Sequence, residues 1–196
     1  MVDAMYRESG EGSELESKRI AAALVLVLSF ASAHAQLTAV TRNGDRIVND
    51  AGLNVTWADV ESPTLLIWSP TGAAGSAQAW VASLNAANGG RGYGGYNDWR
   101  LATGDGSAPF SPANPANELG SLFYTELGNP LSERVKNLEP FAALSNRRSY
   151  WSSSRFAPSP DIYAWGFNTG NGRQFRDLFA KYAAIAVRSG QVSHTH

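Results

Sequence analysis

Short apolar runs alternate with glycine- and asparagine-rich breaks along most of this chain. Ile47-Val48 and Val55-Thr56-Trp57 read as strands around an Asn49–Gly52 turn, so Arg46 to Asp59 is predicted to be a β-hairpin. Glu61 to Gly75 reads as a loop with some apolar content at Leu65, Leu66, Ile67 and Trp68. Ala77, Trp80, Val81 and Leu84 fall on one face at helical spacing, with Ser76 as cap and Asn88-Gly89 as stop. A second helix is expected to open at Asn114-Pro115, to bury Leu119, Leu122, Phe123 and Leu127, and to end at Gly128-Asn129-Pro130. Glu118 and Glu126 are expected on its solvated side. Four late segments, 150–155, 162–168, 173–179 and 182–188, read as strands of one antiparallel meander. Tyr163, Trp165 and Phe167 share a face, Phe175 and Phe179 alternate with Arg176, and Asn168–Gly172 has hairpin chemistry. The pattern is α+β: two helices packed on a small twisted antiparallel sheet, with long loops.

The stretch Gly94 to Thr103, GGYNDWRLAT, is the predicted centre. Burying Trp99 is worth on the order of 2–3 kcal/mol. Asp98 and Arg100 flank it and would point away from it in a strand. They are expected to clamp a core tryptophan, with Trp57, Trp80, Trp151 and Trp165 as further core anchors.

Composition narrows the chemistry. Lys18 to Gln36 places two cations before an apolar run and Ala33-His34-Ala35 after it, the form of a secretory signal peptide. The run Ile20–Ala31 is short for a bilayer span. Residues 1–35 are therefore expected to be removed after export, and the acidic stretch before Lys18 points to a true start downstream of Met1. Without Arg7, Lys18 and Arg19, and without Asp3, Glu8, Glu11, Glu14 and Glu16, the 16 cations and 17 anions become 13 and 12. This even balance offers no footprint for nucleic acid or an anionic membrane. The chain contains no cysteine, which removes thiol catalysis and thiolate metal sites. His34 lies in the signal segment, and His194 and His196 lie in the 191–196 tail, which is expected to be disordered. A histidine-free body has no Ser-His-Asp triad and no His-liganded zinc. Gly104-Asp105-Gly106 lacks the alternating acids of a calcium loop. No metal and no cofactor are expected.

GYNDWRLAT resembles the "G-x-x-DWRLPT" signature of the bacterial Lcl C-terminal domain family. LNVTWAD at 53–59, ELGSLFYTELGN at 118–129, YWSSS at 150–154 and AIAVRSG at 184–190 are similar to further motifs of that family, in the same order. The resemblance covers roughly Asp45 to Gly190. Ala102 departs from it where proline is usual. The resemblance implies one domain over 36–190 with a C-type-lectin-like fold, akin to the formylglycine-generating-enzyme superfamily. The enzymes of that superfamily act through cysteines, which this chain lacks, so their activity does not transfer.

Two functions are open at this stage. The first is an exported, non-catalytic recognition module for a glycan or other surface polymer, reading its ligand with Arg155, Phe156, Asp161, Asn168, Asn171 and Arg173 in the loops 155–161 and 168–173. The second is a carboxylate-driven hydrolase using Asp98, Asp161 or Asp177, which needs two acids facing one another across a cleft. A structural envelope protein that binds only other proteins is a third reading.

Overall fold

The computed structural model describes residues 37–104, 117–131 and 133–192. The expectations for the signal segment 1–35, for the Gly104-Asp105-Gly106 loop beyond its first residue, for a helix start at Asn114-Pro115 and for His194 and His196 lie outside those residues.

The chain forms β1 (Leu37–Arg42), β2 (Asp45–Asp50), β3 (Val55–Glu61), α1 (Ala77–Gly90), β4 (Arg100–Leu101), α2 (Glu118–Ser121), β5 (Ser149–Arg155), β6 (Ala164–Asn168), β7 (Arg173–Asp177) and β8 (Ile185–Ser189). The class is α+β, with two helices and two antiparallel sheets. One sheet has the order β1-β2-β3-β8-β4, the other β5-β6-β7. The hairpin β2–β3 matches the expectation. β1 adds a strand before it, joined through Asn43 and Gly44 at φ 52° and 88°. Those angles suit a two-residue hairpin loop whose twist matches that of its strands.

The last strand corrects the four-stranded meander. β8 leaves the late ribbon and pairs with β3 on one side and β4 on the other. Only three late strands pair with one another. The two sheets are joined where the segment leading into β8 meets β5: the Trp151 N–H donates to the Ala183 carbonyl at 3.0 Å, and the Ala183 N–H to the Ser149 carbonyl at 2.9 Å. Ile162 and Phe179 fall outside the strands and are exposed, Phe179 at 84 %. That removes Phe179 from the expected alternation.

Adjacent residues on these strands enter different cores, because a strand sends successive side chains to opposite faces. Val48, Trp57, Ile185 and Val187 join Leu119, Leu122, Phe123, Phe141 and Tyr150 in one core. Their neighbours Ile47, Ala58, Ala184 and Ala186 join Val81, Leu84, Trp99, Leu101 and Trp151 in the other. Tyr150 and Trp151 are both fully buried. Strands covered on both faces read as near-continuous apolar runs, with little of the polar alternation of a one-sided sheet.

α1 is capped as expected: Ser76 Oγ accepts from the Ala79 N–H at 3.1 Å. The backbone leaves helical geometry at Ala87, and Asn88 and Gly89 turn to φ 54° and 68°. Gly92 then sits at φ 80°, where a Cβ would lie 1.7 Å from the Tyr96 carbonyl oxygen. Only glycine fits this close approach, and it folds the loop back so that Trp99 reaches the core. Trp99 is 3 % exposed. Its indole N–H donates to the Tyr93 carbonyl at 3.0 Å.

α2 is shorter than the apolar stripe suggests. Asn117 caps it, accepting from the Gly120 N–H at 2.9 Å. After Ser121 the turn widens to a π-helical one at Leu122–Glu126. This wider turn brings Glu126 inward. Glu118 and Glu126 are both buried, which overturns their place on a solvated face.

The domain also runs past Gly190. Val192 is buried, donates its N–H to Asn49 Oδ1 at 2.8 Å and accepts from Asn49 Nδ2 at 2.7 Å. Residues 191 and 192 therefore belong to the folded body and not to a tail. No helix among the described residues is long and apolar enough to cross a membrane.

Candidate functional site

The charged residues around Trp99 form two clamps, not the single Asp98–Arg100 clamp that their spacing suggests. Asp98 is an exposed residue that takes a forked pair of bonds from Arg188 at 2.7 and 3.0 Å. The Arg188 guanidinium also lies 4.1 Å from the centre of the Tyr96 ring. Arg100 forks instead onto Glu118, with two bonds of 2.7 Å. Glu118 accepts a third bond, from the Thr103 N–H at 2.8 Å. Burial disfavours the Glu118 carboxylate, but the Arg100 fork and the Thr103 N–H outweigh it and hold its pKa below the ordinary range. This pair ties β4 to the start of α2 and fixes one wall of a cleft.

That cleft has a volume of about 360 Å³ and lies between the Trp68–Pro70 loop, α1, β4 and β5. Its size falls near the lower end of the roughly 300–1,000 Å³ usual for ligand sites. Gln78 and Asn85 reach it from α1, Trp99 from just before β4, Arg100 from β4, and Ser153 and Arg155 from β5. The Asn85 amide holds the edge of β4: its Oδ1 accepts from the Trp99 N–H at 2.8 Å and its Nδ2 donates to the Trp99 carbonyl at 2.9 Å. The walls are thus rigid elements of the second core. Trp68 is buried beneath Arg155, whose guanidinium lies 5.7 Å from the ring centre. A separate void of about 10 Å³ in the first core is lined mainly by leucines and aromatics. It is a packing defect with room for about one water.

The six residues proposed to read a ligand separate into two groups. Arg155 lines the cleft. Asp161, beside it, is largely exposed and approaches Arg155 only to 3.9 Å. Phe156 packs edge-on against Tyr163 and Trp165, with ring centres at 6.2 and 5.8 Å, and lies under the Arg176 guanidinium at 4.4 Å. Asn168, Asn171 and Arg173 lie at the other end of the ribbon, since Arg155 pairs with Ala164 while Ser149 pairs with Asn168. At about 3.3 Å per residue that separation exceeds 10 Å. Asn168 Oδ1 accepts from the Gly170 N–H at 2.7 Å, and Asn171 Oδ1 from the Arg173 N–H at 2.9 Å. Both asparagines build the turn, and Arg173 is exposed beyond it.

Of the residues expected as core anchors, Trp57, Trp99 and Trp151 are buried. Trp80 and Trp165 are only half-buried. Arg100 is half-buried in its ion pair and Asp98 stands outside the core. The sequence reading passed over Trp68, Gln78 and Asn85 as cleft residues. The one signal it offered was the polar pair Gln78 and Asn85, seven positions apart and so close to two helical turns.

The carboxylates of the hydrolase reading are held apart by different partners. Asp98 binds Arg188 and Asp161 lies beside Arg155. Asp177 accepts from the Tyr182 hydroxyl at 2.7 Å and from the N–H groups of Leu178, Phe179 and Ala180. Among the described residues no group of three or more metal-ligating side chains forms. The chain matches no protein-family model, no curated protein and no solved structure among those compared.

Proposed function

We propose that the domain is a non-catalytic recognition module that binds a glycan or another surface polymer in the cleft between α1, β4 and β5. The observation that carries this reading is the placement of Arg155: a partly exposed arginine, weakly paired, above a buried tryptophan and in a cleft with rigid walls. Rigid elements holding a few polar groups around an apolar floor are the usual make-up of a binding site. Export, membership of the Lcl C-terminal domain family and a C-type-lectin-like fold are parts of the same proposal. They rest on the signal-like segment and on the five motifs that end in AIAVRSG.

The test is a glycan and polymer array probed with residues 36–196, with and without calcium. Arg155→Ala is expected to abolish the binding while leaving the melting temperature within about 2 °C of wild type, as for a surface change of under 0.5 kcal/mol. Arg173→Ala, at the far end of the ribbon, is expected to bind as wild type does. Equal binding by both variants would remove the cleft from the proposal.

A further inference from the structure

The two sheets leave one strand edge both open and unguarded. β1 ends the five-stranded sheet, and no strand other than β2 pairs with it among the described residues. The remaining edges are taken or charged. The Asn85 amide occupies the edge that leads into β4, at Trp99. The Ser153 N–H donates to the Ala102 carbonyl at 2.8 Å, so the outer edge of β5 is used as well. β7 carries Arg173, Arg176 and Asp177 within its five residues, and charge is a common guard of an edge. β1 has no such guard. Its six residues, LTAVTR, hold no proline and run against β2 without a bulge. Its one charge, Arg42, lies over the Tyr96 ring of its own chain, 5.0 Å from the centre. The phase of the open groups follows from the turn. Asn43-Gly44 is a two-residue loop, so the pair that flanks it, Arg42 and Asp45, exchanges both backbone bonds. Bonding alternates along an antiparallel strand, so Thr38, Val40 and Arg42 face β2. The N–H and C=O groups of Leu37, Ala39 and Thr41 face outward, with no strand to take them.

We propose that β1 is a self-pairing edge, on which a second copy of this chain lays its own β1 antiparallel, so that the two five-stranded sheets become one. The inference stands apart from the recognition reading. The choice of a second copy rests on charge and symmetry. Identical strands carry identical charge, and like charges set opposite one another repel, so only a neutral edge accepts its own copy. β1 is neutral along its open side, because its single cation is turned onto Tyr96. A two-fold axis at Ala39 sets Ala39 against itself and Leu37 against Thr41 of the second copy. Each of these positions faces outward, so open donors meet open acceptors. Leu37 and Ala39 pack against the first core, and the pairing carries that apolar face across the axis. Arg42 falls beyond Leu37 of the opposing strand and meets no like charge.

The test is sedimentation equilibrium of residues 36–196, the compact unit that holds every described element. A six-residue edge makes a small interface, so the dimer is expected to be weak and to form as the concentration is raised from about 1 µM to about 500 µM. Over that range the mass is expected to climb from one protomer toward two. Ala39→Pro removes an outward N–H and no bond to β2, and is expected to stay monomeric throughout. Amide hydrogen exchange gives a second reading that needs no variant. The N–H groups of Thr38, Val40 and Arg42 are expected to be protected at both ends of the range, and those of Leu37, Ala39 and Thr41 only at the upper end. If Ala39→Pro does not fold, this alternation decides by itself. A single protomer at the highest concentration, a folded Ala39→Pro chain that dimerises as wild type does, or amides of Leu37, Ala39 and Thr41 that stay unprotected in the dimer would each overturn the proposal.

Discussion

Replacing Arg100 by alanine is expected to destabilise the domain by about 3 kcal/mol, because it strands the Glu118 carboxylate in a buried setting. Glu118 has a side chain only 9 % exposed, and Arg100 supplies two of its three hydrogen bonds. Removing one partner of such a pair costs more than the pair contributes, since the survivor keeps its desolvation penalty without compensation. The double replacement Arg100→Met with Glu118→Leu should therefore recover much of what the single change loses. The pH dependence has a definite sign. With Arg100 gone, the folded-state pKa of Glu118 rises above its ordinary value, so the penalty is present when the unfolded carboxyl is ionised and fades as the pH falls below that range. Urea midpoints of the wild type, the single variant and the double variant at pH 4 and pH 8 read all of this. A single variant within 1 kcal/mol of wild type at pH 8 would refute the account.

The second large effect belongs to Glu126. Burial, reinforced by the charge of nearby Asp50, pushes its pKa from the ordinary 4.5 up to about 7. Asp50 is itself raised by burial, although the N–H of Leu53 and the indole N–H of Trp57 bond to it at 2.9 and 3.1 Å. Below pH 4.5 Glu126 is protonated in both the folded and the unfolded chain, and it contributes nothing to the balance. Between there and pH 7 the unfolded chain releases this proton while the folded chain keeps it, so stability falls as the pH rises. The loss is on the order of 2–3 kcal/mol by pH 8. Glu126→Gln should flatten that slope and leave the variant more stable than wild type at pH 8, with little difference near pH 4. Asp50 titrates in the same direction, so part of the slope should survive. Parallel pH curves for wild type and Glu126→Gln, measured by urea unfolding, would contradict this assignment.

Both effects arise at the junction that the two helices share with the large sheet. Asp50 ends β2, Glu118 opens α2, and Arg100 sits on β4. Three acids thus occupy one core margin with a single arginine among them, and the hydrogen bonds of Trp57, Leu53 and Thr103 hold two of the three. Glu126 is the third, and its carboxyl relieves the crowding by keeping its proton. Arg100 also lines the cleft, so the same Arg100–Glu118 pair fixes one of its walls. A loss of that pair should therefore loosen one wall of the cleft as well as the core.

Much of the local structure was legible in the residues. Ser76 and Asn88-Gly89 mark the ends of α1, and the Asn168–Gly172 turn lies where its side chains demand. Asn43-Gly44 carries an equally clear hairpin signal at the β1–β2 turn. Glu118 and Glu126 misled because an acid at the edge of an apolar stripe normally faces water, and nothing within four residues reveals an arginine 18 positions upstream. Arg155 was legible as a candidate residue, but Trp68, over which it lies, is 87 positions away in an unpatterned loop.

What this sequence determined by itself is local: which segments are helix or strand, where they start and stop, and that Trp57, Trp99 and Trp151 go inside. Backbone caps, turn residues and side-chain size act over a few positions, so they can be read from a few positions. Tertiary structure alone decided that β8 crosses to the first sheet, that two acids of α2 and its following turn are buried, and that Arg155 and Trp68 line one cleft. A strand covered on both faces carries no alternation to name its neighbours, and an ion pair or a shared cleft depends on distance in space, which the order of residues does not encode.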